Sequence, residues 1–103
     1  MFNQIGWYFF ECKKYIESLA FFKRGFQVYP EDLNMAVNMA HLYLFNKDYK
    51  NALATYKAHQ KKMVRPDLSF EKLMQDDYTY LKDHNYDMKL FDKAFAELKV
   101  KKP

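Results

Sequence analysis

The sequence repeats at a spacing of 34 residues, and this repeat constrains the fold more than any other feature. Tyr15 recurs as Tyr49 and Phe22 as Tyr56, so aromatic residues return one period later. The other matched pairs are Ile5 with Met39, Gly6 with Ala40, Phe9 with Tyr43, Ser18 with Ala52, and Leu19 with Leu53. A period of about 20 to 50 residues is typical of chains that stack one supersecondary unit on the next.

The order of residue types within one period resembles the tetratricopeptide repeat. That family places small, aromatic and apolar residues at fixed positions and ends each unit with proline. His59 departs from the pattern, as do Asn3 and Ala36, which stand where the family has tryptophan. The matching residues are Ile5, Gly6, Phe9, Ser18, Phe22, Gly25 and Pro30 in the first copy, and Met39, Ala40, Tyr43, Ala52 and Tyr56 in the second. The resemblance implies an all-α, right-handed solenoid of antiparallel helix hairpins.

Glycine and proline are scarce, with 2 and 3 among 103 residues, which favours long helices over turn-rich structure. We expect Asp32 to cap a helix, residues 46–48 to form a hairpin turn, and Pro30 and Pro66 to mark helix ends. The predicted helices cover 3–13, 16–28, 32–46 and 49–63. Small residues such as Ala40 should let paired helices approach closely.

Beyond Pro66 the match to the repeat fades, but helical spacing continues. Ser69 is a candidate helix cap and residues 83–85 a candidate turn. The apolar positions are Phe70, Leu73, Met74, Tyr78 and Leu81, followed by Met88, Phe91, Ala94, Phe95 and Leu98. We therefore expect one domain of about six helices: one repeat over about 1–32, a second over about 33–66, and a divergent capping pair over about 67–100.

In tetratricopeptide proteins the first helix of each pair lines a concave groove that holds a peptide or helix of a partner. The resemblance therefore implies a groove whose polar Asn38 and His41 orient an apolar or aromatic ligand. The implied lining residues are Asn3, Trp7, Phe10, Glu11, Asn34, Val37, Asn38, His41, Leu44 and Phe45. An aromatic stripe at helical spacing is often core, so packing against the third pair or a neighbouring chain is the alternative.

The first helix is apolar nearly all round, with Ile5, Trp7, Tyr8, Phe9 and Phe10 in six positions. A terminal helix of a repeat stack ordinarily has a polar outer face. This pattern predicts either self-association through the first helix or a longer repeat protein of which this chain is a segment. In the second case the chain would act as a structural spacer, which is an alternative to peptide binding.

Catalytic and metal-binding motifs are absent from the sequence, so we expect no enzyme activity, no cofactor and no metal site. Asp76, Asp77, Asp83, His84 and Asp87 are better explained as a solvated helix end and turn than as cation ligands. Some tetratricopeptide domains grip a terminal carboxylate with a clamp of basic residues and asparagines. Of that clamp only Asn38 is clearly matched, so we expect no clamp activity.

The net charge of +4 is unevenly distributed, because residues 1–65 are basic and residues 66–98 are acidic. A basic ridge on the fourth helix could contact an acidic partner, although nucleic acid is not the expected ligand. The ridge consists of Lys57, His59, Lys61, Lys62 and Arg65. Cys12 is the only cysteine, which favours a reducing compartment and a cytoplasmic location, and no apolar run predicts a membrane span.

Overall fold

A computed structural model describes residues 10–103, and this part of the chain is mainly helical. The helices are α1 (Tyr15–Val28), α2 (Leu33–Phe45), α3 (Tyr49–His59), α4 (Phe70–Asp83) and α5 (Lys89–Leu98). Two short strands, β1 (Met63–Arg65) and β2 (Leu68–Ser69), pair antiparallel between α3 and α4. Of the helix predicted over 3–13, residues 3–9 lie outside the described residues, Phe10 and Glu11 are helical, and residues 12–13 form a turn.

Local capping chemistry explains where two helices begin, and it confirms two predicted caps. The Asp32 carboxylate accepts the backbone N–H of Asn34 at 3.0 Å and that of Met35 at 3.4 Å. The Ser69 hydroxyl accepts the N–H of Lys72 at 3.0 Å. Both side chains therefore satisfy amide groups that have no partner within the first turn of a helix.

The predicted extent of the fourth helix and the predicted role of Pro66 are wrong. Helix α3 ends at His59 rather than at residue 63, and Pro66 lies with Asp67 in the turn of the β1–β2 hairpin. Proline suits the second position of a tight turn because its φ is fixed near the required value. The Nε of Arg65 lies 3.3 Å from Oδ1 of Asp67 across the same turn. The proline therefore marks a hairpin and not a helix end.

Gln60 fixes the direction in which the chain leaves α3. Its Nε2 donates to the backbone oxygen of Leu98 at 2.8 Å and to Oε2 of Glu71 at 2.8 Å. These two acceptors lie on the last residue of α5 and in the first turn of α4. One amide group thus ties the hairpin segment to both helices of the third pair.

Three turns between helices share one backbone conformation. Lys13, Lys47 and Asn85 each have a left-handed φ, of 58°, 64° and 64°. After α2, the N–H of Lys47 bonds to the oxygen of Leu44 at 3.0 Å and the N–H of Asp48 to that of Tyr43 at 2.8 Å. Asn85 and the following residue make the equivalent bonds after α4. This is the Schellman termination of a helix, and the predicted turns at 46–48 and 83–85 are confirmed.

Helix α2 lies at the centre of the described fold. It packs against α1 on one side and α3 on the other, and it also contacts α4. Ala36 and Ala40 on α2 and Ala52 on α3 are fully buried, which lets the backbones approach closely. At Gly25 on α1, a Cβ atom would lie 3.0 Å from the Sδ of Met35. The burial of Ala40 and Ala52 and the close contact at Gly25 agree with the predicted packing role of these three residues.

The third helix pair, α4 and α5, packs onto the preceding helices α2 and α3. Helix α5 contacts α3, while α4 contacts α2. Between α4 and α5, the Tyr78 hydroxyl donates to Oδ1 of Asp92 at 2.5 Å, and its ring lies 5.1 Å from that of Phe95. The hydrogen bond to Asp92, with burial, raises the pKa of Tyr78 to about 12. The phenol therefore stays protonated as the donor at neutral pH.

The left-handed residues predict a gain in stability on substitution by glycine. A side chain other than glycine in this conformation costs about 1–2 kcal/mol, part of which is offset by the greater freedom of glycine in the unfolded chain. Lys47→Gly should therefore raise the free energy of unfolding by roughly 0.5–1 kcal/mol. Urea denaturation followed by circular dichroism measures this change. In the interior of α3, Ala54→Gly is the control and should lower stability by about as much; a loss at Lys47 would contradict the assigned backbone geometry.

Candidate binding site

Most residues assigned to a concave groove are buried in the described structure. Val37, Asn38, His41 and Leu44 on α2 are at most 2% exposed, and Phe10 is fully buried. The third pair covers this face, because the Phe91 ring of α5 lies 5.4 Å from the His41 ring and 5.5 Å from the ring of Phe45. These contacts match the packing alternative raised by the sequence.

The other assigned residues differ in their surroundings. Asn34 and Phe45 are half-buried, and Glu11 is exposed. Asn3 and Trp7 lie outside the described residues, as does most of the first helix through which self-association was predicted. Among the assigned residues within 10–103, Leu44 and Phe45 also line an open pocket beside the turns that end the helices.

His41 forms the centre of a buried polar network that joins three helices. Its Nδ1 lies 2.6 Å from the hydroxyl oxygen of Tyr56 on α3, and its Nε2 lies 3.0 Å from Oδ2 of Asp77 on α4. His41 and Tyr56 are at most 1% exposed, and the Asp77 side chain is 15% exposed. Both ring nitrogens are therefore occupied by partners from the same chain.

One assignment of hydrogens satisfies every member of this network. An ionised carboxylate only accepts hydrogen bonds, so Nε2 of His41 donates to Asp77 and Nδ1 accepts from the Tyr56 hydroxyl. Burial, together with the negative charge of Asp77, raises the pKa of Tyr56 well above its usual value and keeps the phenol a donor. The buried imidazole thus links α2 to α3 through Tyr56 and to α4 through Asp77.

Removal of the Tyr56 hydroxyl tests the contribution of this network. Tyr56→Phe leaves Nδ1 of His41 buried without a donor, which should lower the free energy of unfolding by about 1–3 kcal/mol. Urea denaturation compares this variant with Tyr29→Phe, at a tyrosine that is 65% exposed. The control should change stability by less than about 0.5 kcal/mol. Equal effects of the two substitutions would show that the hydrogen bond to His41 adds nothing.

A pocket of about 300 Å³ opens where the three helix-ending turns come together. We call it the turn pocket. It is lined by Lys13, Tyr15, Leu44, Phe45, Lys47, Asn85, Tyr86, Asp87, Leu90 and Phe91. Its wall thus combines all three left-handed residues of the turns with the start of α1, the end of α2 and the first turn of α5.

Aromatic rings form the wall of the turn pocket. The Phe45 ring stacks on Tyr15 with centroids 4.9 Å apart, and it meets the edges of Phe91 and Tyr86 at 5.5 Å. Behind them, the buried Phe10 ring contacts Tyr15, Phe45 and Tyr86 at 4.9 to 5.7 Å. Such packing holds each ring in place, so the wall is formed before any ligand arrives.

A side-chain hydrogen bond joins the turn after α2 to the start of α1. The Asn46 side-chain amide donates to the backbone oxygen of Tyr15 at 3.1 Å and to that of Leu42 at 2.8 Å. The turn after α2 is thus held against the start of α1. Burial raises the pKa of both Tyr15 and Tyr86, so their hydroxyls remain neutral hydrogen-bonding groups at the pocket wall.

Three members of the acidic cluster identified in the sequence, Asp76, Asp77 and His84, bond to groups of the chain itself. Asp76 pairs with Lys72 at 3.0 Å, Asp77 bonds to His41, and His84 Nδ1 lies 2.8 Å from the Tyr80 oxygen. Within residues 10–103, no group of three or more histidine, cysteine, aspartate and glutamate side chains could hold a metal ion. Cys12 is exposed.

The basic ridge is largely engaged with neighbouring side chains. Lys61 lies 3.7 Å from Glu71, Arg65 lies 3.3 Å from Asp67, and the Nζ of Lys62 lies 3.2 Å from Nδ1 of His59. Burial and the charge of Lys62 lower the pKa of His59, so its imidazole adds no positive charge at neutral pH. Binding of the ridge to nucleic acid or to an acidic partner stays the weaker alternative, with no structural observation in its favour.

Comparisons with protein families, with curated proteins and with solved structures find nothing that matches the chain. Among the described helices, none is long and apolar enough to cross a membrane.

Proposed function

We propose that the chain is a protein-interaction module of the tetratricopeptide type, which holds an apolar or aromatic side chain of a partner peptide in the turn pocket. The pocket itself is the observation that supports this proposal. Its volume of about 300 Å³ is at the lower end of ligand sites, so it offers room for one anchoring side chain. Such anchors in aromatic pockets supply most of the affinity at many interfaces.

The recurrence of one turn geometry supports the choice of family. Lys13 and Lys47 have the same left-handed backbone and stand 34 positions apart, the spacing at which the sequence repeats. Asn85 has the same left-handed backbone 38 positions after Lys47, and this longer spacing fits a third pair that has diverged in length. Helix α2 also packs between α1 and α3 as a hairpin repeat requires.

The proposal moves the binding site from the face of α2 to the edge where the turns meet. Val37, Asn38 and His41 on that face are buried, and Asp77 and Phe91 of the third pair contact His41. Leu44 and Phe45, in contrast, still border the open pocket. A segment that only spaces other domains needs no open aromatic pocket. Peptide binding therefore distinguishes the proposed function from the structural alternative.

Selection of short random peptides against the immobilised chain tests the proposal. The enriched sequences should share one aromatic or large aliphatic position, and isothermal titration should measure their affinity. Leu90→Trp places an indole in the pocket and should weaken binding about tenfold or more. Ala96→Trp adds the same group at an exposed position of the same helix and should leave binding unchanged.

Circular dichroism and thermal unfolding of both variants establish that the helices are intact. Enriched peptides without a shared apolar position, or equal affinity for Leu90→Trp and Ala96→Trp, would contradict the proposal. If Leu90→Trp unfolds the chain, Leu90→Ala replaces it and should shift the selected anchor towards larger side chains. If the folded Leu90→Ala variant selects peptides with the same anchor as the unmodified chain, the proposed binding in the turn pocket is also contradicted.

A further inference from the structure

Two lysines stand at the rim of the turn pocket, one from each of the turns that the repeat relates. Lys13 follows the first helical segment and Lys47 follows α2, and both line the pocket. Lys13 and Lys47 are both exposed. The two lysines have the same left-handed backbone conformation. The repeat therefore places a cationic residue at the pocket rim in each of its two copies.

Neither lysine makes an ion pair within residues 10–103. Asp87 is the carboxylate that lines the pocket, and its Oδ1 accepts the backbone N–H of Lys89 at 3.0 Å, at the N-terminus of α5. A helix N-terminus carries partial positive charge, which offsets part of that carboxylate. The lining side chains thus hold two cations against one partly compensated anion.

Glu11 is another nearby carboxylate, and it interacts with tyrosines beside the pocket. After burial, its charge is the next cause of the raised pKa values of Tyr80 and Tyr86. Glu11 itself does not line the pocket. Glu11 therefore interacts with the phenol groups of Tyr80 and Tyr86, whereas Lys13 and Lys47 line the pocket.

We propose that the partner peptide carries an acidic residue next to its apolar or aromatic anchor, and that this carboxylate pairs with Lys13 or Lys47. The proposal rests on the proposed function, since it describes the ligand of the same pocket. Charge complementarity of this kind sets partner choice and orientation more than total affinity. In this proposal the aromatic wall binds the anchor side chain of the peptide. The two rim lysines favour peptides with an acidic residue beside that anchor.

The carboxylate in this proposal is a side chain within the peptide and not a chain terminus. The lysines lie at the helix-ending turns, away from Asn38, which is buried on α2. Peptides that are acetylated and amidated therefore suffice as probes. They also remove any contribution from a free terminal carboxylate.

The experiment uses three such probes, with a central phenylalanine flanked by two glutamates, two glutamines or two lysines. Titration against the full chain at low ionic strength should give the tightest binding for the glutamate probe. Each exposed ion pair contributes at most about 1 kcal/mol, so a preference of about threefold to tenfold over the glutamine probe is expected. This preference should shrink at physiological salt, because the charges are exposed.

Charge-reversed variants assign the preference to the rim. Lys13→Glu and Lys47→Glu should each reduce it, and the double variant should favour the lysine-flanked probe. Lys99→Glu is the matched control, because Lys99 is exposed, has a φ of 57° and does not line the pocket. It makes the same change in net charge at the same backbone conformation and should leave the preference intact.

The outcomes separate this inference from the function on which it rests. Equal affinity for all three probes, or equal effects of Lys47→Glu and Lys99→Glu, would overturn the acidic flank while leaving an apolar pocket in place. Stronger binding of the lysine-flanked probe to the unmodified chain would overturn it in favour of a cationic peptide. Failure of every probe, together with failure of the peptide selection, would refute the proposed function itself.

Discussion

The hydrogen-bonded imidazole of His41 is the interaction on which the arrangement of the helix pairs depends. It bonds to Tyr56, 15 positions away in the sequence, and to Asp77, 36 positions away. A buried imidazole without partners would cost several times what a typical hydrogen bond contributes. Only when α3 and α4 flank α2 are both ring nitrogens satisfied, so the network disfavours arrangements in which the third pair shifts.

The same residue connects the core to the turn pocket. Phe91 contacts the His41 ring on one side and the Phe45 ring on the other. Since Phe91 and Phe45 both line the pocket, the position of its wall depends on how α5 is seated against α2. A substitution in the buried His41 network should therefore shift Phe91 and, with it, the wall of the turn pocket. The rim lysines need not change.

Local features of the fold could be predicted from the sequence because they depend on neighbouring residues. The caps at Asp32 and Ser69 and the turns at 46–48 and 83–85 follow from side-chain chemistry within one helical turn. The β1–β2 hairpin could not be predicted in the same way, because Pro66 signals a break in regular structure without indicating the kind of break. A proline that ends a helix and one that turns a hairpin give the same signal in one sequence.

The site was harder to predict, because it depends on contacts between distant segments. The sequence assigned His41 to a ligand groove and Asp77 to a solvated cluster, and nothing in their local patterns indicates that they pair. Leu44 and Phe45 were identified from the repeat, whereas Tyr86 and Leu90 reach the pocket only through the docking of the third pair.

The most direct test of the His41 network is nuclear magnetic resonance of the His41 side chain in nitrogen-15-labelled protein. The network predicts a proton on Nε2 and a hydrogen bond accepted at Nδ1. It also predicts a Tyr56 hydroxyl proton that exchanges slowly with water, because the phenol is fully buried. A proton on Nδ1, or a Tyr56 hydroxyl in rapid exchange, would contradict the network that joins the three helices.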